Sequence, residues 1–95
     1  MSETTKNITL IKGSFTAEEA KDILITLLNN KINFHQMKNF GLMERFGKPE
    51  YGSQSRIDEL KKNRDELQNL FREAEENNVT FSIDSIIQIR MNETN

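Results

Sequence analysis

The chain reads as an α+β domain of order β-α-α-β, an antiparallel helical hairpin with a two-stranded antiparallel sheet formed by the chain ends. Three observations predict this. Ala17 to Phe40 repeats apolar side chains at helical spacing with no glycine or proline inside it. Ser53 to Asn78 carries a second, narrower helical stripe. At Thr80 the period changes to two and holds to Met91. The helices are each about 24 residues, or about 36 Å, and equal lengths favour a hairpin. Its open end brings the two strands together.

The first strand is expected over Asn7 to Phe15, NITLIKGSF, with Ile8 and Leu10 on one face and Thr9 and Ile11 on the other. Gly13 permits the turn into the helix. Thr16 and Glu19 form a capping box, each side chain bonding a backbone N–H of the first turn. The helix that follows is apolar over more than half of its girth. Ala20, Ile23, Leu24, Leu27, Phe34 and Met37 make one arc; Ile25, Leu28 and Ile32 make a second beside it. The first arc is assigned to the other helix of the hairpin. The second is left for a further neighbour. Asn29, Asn30 and Asn33 are poor helix formers and mark Asn30 as the point where a break is expected, if there is one.

Residues Gly41 to Gly52 hold three of the four glycines and the only proline. They are expected to form a long inter-helix loop, 41–52, packed back through Leu42, Met43, Phe46 and Tyr51, with a short helical turn over Leu42 to Phe46. In the second helix, Ser53 or Ser55 is the expected cap and Asn77-Asn78 the stop. Its apolar positions are Ile57, Leu60, Leu67, Leu70, Phe71 and Ala74. Arg64 interrupts that seam and is expected to reach an acid or carbonyl of the 41–51 loop, Glu44 first, or to snorkel to solvent. In the last strand Phe81, Ile83, Ile87, Ile89 and Met91 share a face with Ser85 among them, and Ile86 is the exception on the polar face. Residues 1–6 and 92–95 are expected to fray.

The 95 residues make a single domain, 1–95. There is no cysteine, hence no disulfide, thiolate metal site or thiol nucleophile. A net charge of −2 and a pI near 5.4 argue against a dedicated nucleic-acid binder. No apolar run approaches the roughly 20 residues that span a bilayer, and MSETTKNITL does not resemble a secretory signal. No membrane role is expected, and a cytoplasmic location is.

No phosphate loop, zinc signature, calcium loop or nucleophile elbow is present. No catalytic, metal or cofactor-binding residue is therefore assigned, and the chain is read as not an enzyme. His35 is the only histidine. Four residues away on either side stand Lys31 and Asn39, which do not suit a histidine metal site. It is read as a surface or seam residue. Lys31, His35, Lys38, Arg45, Lys48 and Tyr51, with the phenylalanines between them, mix basic and aromatic character as a single-strand binder does. Two glutamates offset the four cations, leaving a formal +2 over residues 31–51. Glu73, Glu75 and Glu76 oppose the negative end of the second helix and read as a solvated acidic face.

The expected function is a small non-enzymatic protein-interaction module acting as a homo-oligomer, a dimer first, through Ile25, Leu28 and Ile32. The alternative cover for that arc is the 41–52 loop of the same chain, and an unidentified protein is the other partner considered. The alternative function is a nucleic-acid-associated regulatory protein using the basic and aromatic residues of 31–51.

Overall fold

The structure, a computed structural model, describes residues 4–93. The order is β1 (Thr4–Thr16), α1 (Ala17–Phe46), α2 (Ser53–Asn77) and β2 (Thr80–Met91), with β1 and β2 antiparallel in one two-stranded sheet. The β-α-α-β fold and the helical hairpin are as the periodicity predicts. Of the residues expected to fray, 4–6 belong to β1 and 92–93 lie beyond β2; residues 1–3 and 94–95 are outside the described range.

α1 begins with both halves of its capping box made, Glu19 N–H donating to Thr16 Oγ1 at 3.1 Å and Thr16 N–H to Glu19 Oε1 at 2.9 Å. It does not break at the asparagines, and it does not stop at Phe40. Gly41 lies inside it and Leu42–Phe46 are its last turns. The stop is Gly47, which adopts φ 75° and donates its N–H to the Met43 carbonyl at 3.0 Å. Only glycine takes that conformation without a Cβ penalty, and Pro49 follows closely. The connection is therefore residues 47–52, of ordinary length. It does not fold back as expected: Phe46 and Tyr51 are exposed.

Neither serine caps α2. Gly52 occupies the cap position at φ 77° with no side-chain bond, and Ser53 is a buried first-turn residue. At the other end Asn78 closes the helix in the left-handed region, φ 58°, as expected for an asparagine stop.

The hairpin core is Ile32 against Ile57 and Leu60, with Leu28 packed on it. This reverses the expected use of α1. The arc of Ile25, Leu28 and Ile32, assigned to an oligomer, is the one that meets α2. Of the first arc, Ala20 is buried and Ile23 and Leu24 are half-buried, while Leu27, Phe34 and Met37 are exposed. The first arc is the richer, six apolar positions against three, so apolar content alone favours the arc that the structure leaves largely outside the hairpin.

The sheet is fastened to the helices only near their junction. Phe81 meets Phe71 edge-on at 5.1 Å, and Ala17, Ala20, Ala74 and Ile11 are buried there. Small residues at the junction let strand and helix approach closely. β1 carries a bulge. Thr9 pairs with Ile86 and Ile11 with Ser85, leaving Leu10 as the extra residue. The bulge resets the alternation, so Ile11 joins the face of Ile8 instead of opposing it. Ile11 is buried and Leu10 is exposed, contrary to simple period-two counting.

Candidate functional site

The outer part of the first arc of α1, Leu27, Phe34 and Met37, is exposed. Ile23, Leu27, Phe34 and Met37 follow one side of a continuous helix, because the asparagines do not break it. β1 lies beside the beginning of this stripe. Leu10 and Ile11 form with Asp22, Ile23, Thr26 and Leu27 an open cleft of about 360 Å³. Beyond it the sheet and helix part, and Phe34 and Met37 are 55% and 69% exposed.

The sheet presents a matching surface. Its helix-side face carries Phe15, Ile11 and Ile8 on β1, paired with Phe81, Ser85 and Ile87 on β2. The half near the helices is partly covered: Phe81, Ile83 and Ser85 are half-buried. From Ile86 onward every residue of β2 is exposed. Ile8, Ile87, Ile89 and Met91 thus continue the covered face into solvent. Two apolar surfaces, one on α1 and one on the far half of the sheet, diverge from a shared corner.

The other sequence-derived residues are not gathered into one site. Ile25 and Leu28 are half-buried and Ile32 buried within the hairpin, so they are not a free surface. Lys31, Lys38 and Arg45 fall on one side of α1 at seven-residue spacing. Lys38, however, is held by Glu50 at 3.1 Å, and Lys31 lies over the Phe34 ring at 5.0 Å. Lys48 and Tyr51 are exposed on the connection. No basic groove joins the six residues.

His35 lies in the seam. Both of its ring nitrogens are buried without a hydrogen-bond partner, as are Asn39 Oδ1 and Ser53 Oγ. His35 and Asn39 are one turn apart on α1. Arg64 meets Asn29, and both helices rise equally per residue, so Ser53 comes level with the stretch around Phe40. Among the described residues, no group of three or more His, Cys, Asp or Glu is placed to hold a metal ion. Glu73, Glu75 and Glu76 are exposed on the last turns of α2.

Arg64 does not reach Glu44. Its Nη1 donates to Asn29 Oδ1 across the hairpin at 2.8 Å, and its Nε lies 3.8 Å from Asp65. Asn29, read from sequence only as a weak helix former, is its partner.

No family model, curated protein or solved structure matches this chain. The reading of function rests on the surface itself. No helix among the described residues is long and apolar enough to cross a membrane.

Proposed function

We propose that the protein is a non-enzymatic protein-interaction module that works by self-association, as a dimer. The observation that carries this is the accessible surface of 7705 Å² on a chain of 11.1 kDa. A folded monomer of that mass exposes about 5,700 Å². The excess, about 2,000 Å² per chain, corresponds to the area that each subunit of a substantial homodimer removes from water. The radius of gyration agrees: 17.2 Å, against about 12 Å for a compact domain of this length.

The exposed residues are of the right kind. Leu27, Phe34 and Met37 on α1 and Ile8, Ile87, Ile89 and Met91 on the sheet are large and apolar, and they flank one corner. Surfaces of this kind on a small protein mark interaction sites. The nucleic-acid alternative has less support, since Lys38 is engaged by Glu50 and the net charge is −2.

Sedimentation equilibrium at micromolar concentration tests the proposal. The expected result is a mass twice the 11.1 kDa of the chain. The double variant Phe34→Glu/Met37→Glu should shift the protein toward monomer with an unchanged far-UV circular dichroism spectrum. A wild-type monomer across the micromolar range would overturn the reading.

A further inference from the structure

The sheet has two free edges, and they are not alike. β1 has the bulge at Leu10, a glycine at position 13, and Lys6 on the same face as Ile8. Bulges and lysines of this sort discourage strand addition. β2 has none of these. Its 12 residues, TFSIDSIIQIRM, contain no proline, glycine or lysine, and all of its register irregularity lies on the other strand. Four isoleucines favour the extended conformation. Its outer edge offers a row of backbone N–H and C=O groups to another strand.

Resting on the self-association proposed above, we propose that this edge pairs antiparallel with β2 of a second copy, about a two-fold axis at Ile87. The product is a four-stranded sheet of order β1-β2-β2-β1. The register follows from charge. β2 carries one acid, Asp84, and one base, Arg90, both on the face opposite the helices. They are equidistant from Ile87. An axis there sets Asp84 of each copy directly opposite Arg90 of the other, forming two cross-strand pairs. An axis at Ile86 would set Asp84 against Gln88 and Arg90 against Ser82. An axis at Gln88 would set Asp84 against Asn92 and Arg90 against Ile86. Neither pairs the charges. Arg90 has other contacts, but a guanidinium has five N–H donors and can serve more than one partner.

On the helix side the same register is apolar. Ile87 meets its own copy, Ile83 meets Met91, and Ser85 meets Ile89. The exposed far half of each β2 thereby gains the covered half of the other as its neighbour. A two-fold axis normal to the sheet keeps both hairpins on one face, anchored at opposite ends. The free stripe of each α1 and the far half of the other copy's sheet then share one side of the assembly. This brings the two diverging apolar surfaces to one side of the assembly.

Complementary single variants test this. Asp84→Arg and Arg90→Asp each place like charges at both cross-strand positions of a homodimer, and each should weaken dimerisation about tenfold. An equimolar mixture of the two restores opposite charges at both positions, so it should associate nearly as tightly as wild type. The chain has no cysteine, so Ile87→Cys can be oxidised without background. It should give a disulfide-linked dimer, while Thr9→Cys on β1 should not. A wild-type monomer would overturn self-association and this pairing with it. A wild-type dimer would leave self-association standing yet overturn the pairing under a second result: the mixture no tighter than its components, and Ile87→Cys linking no better than Thr9→Cys. Should the charge variants fail to fold by circular dichroism, the cysteine pair decides.

Discussion

Arg64 sits on a buried stripe because a partner meets it there. Its side chain is 28% exposed, and the Asn29 amide oxygen accepts a guanidinium hydrogen bond at 2.8 Å. A charge-assisted bond in a half-buried place contributes about 1–2 kcal/mol. Arg64→Ala and Asn29→Ala should each lower the urea-unfolding free energy by roughly that amount. The double variant should lose less than the sum, which a double-mutant cycle at fixed protein concentration will show. His35 is the opposite case. Its ring nitrogens are buried without partners, so they lose hydration with no return. His35→Leu is expected to raise stability by about 1 kcal/mol. A fall of similar size would mean that the imidazole has a partner in solution.

Gly41 inside α1 and Gly47 just past its end differ in what they require of the backbone. At Gly41 an added Cβ meets nothing within 4 Å, and the residue is in a helical interior. Gly41→Ala should stabilise the protein by about 0.5–1 kcal/mol. Gly47 also has open space, but φ is +75°. Gly47→Ala should destabilise it by about 1 kcal/mol, through strain alone. Thermal unfolding of the pair gives opposite signs if Gly47, not Gly41, ends the helix. The strand pair obeys a similar local rule. One extra residue, Leu10, decides that Ile11 and not Leu10 is buried, since the alternation restarts after a bulge.

The molecule is thin and angular, with principal extents of 52, 37 and 15 Å. Its core is correspondingly short: one cluster in the hairpin, and a junction built on Phe71, Phe81 and small alanines. The two arcs of α1 therefore have separable roles. Ile32→Ala should cost about 2–5 kcal/mol of folding stability, because its side chain is enclosed by Ile57 and Leu60. Phe34→Ala should change chain folding little and should weaken association instead. Leu28→Glu, on the inner arc, is expected to unfold the hairpin. Chemical denaturation combined with sedimentation equilibrium separates these outcomes. If Phe34→Ala and Ile32→Ala had equal effects on folding, the division of the helix into an inner and an outer arc would be wrong.

The order of elements, their types and their approximate ends were legible in residue spacing, because hydrophobic period reflects local backbone geometry. The capping box at Thr16 and the stop at Asn78 were legible for the same reason: both are settled within one turn of helix. The end of α1 was less so. Gly41 comes first and reads as the stop, but Pro49, two residues after Gly47, is the sequence signal that marks Gly47 instead. Which arc of α1 meets α2 was not legible at all. The first arc holds five large apolar side chains and the second three, so apolar content points to the wrong one. The tertiary structure turns Leu28 and Ile32 toward Ile57 and Leu60 and buries Ala17 and Ala20. The partner of Arg64 depends on the same choice, because Asn29 reaches the seam only when Ile25, Leu28 and Ile32 face inward. Spacing along one chain specifies what each element is; the relative rotation of packed elements, set by contacts between distant residues, specifies what each one leaves exposed.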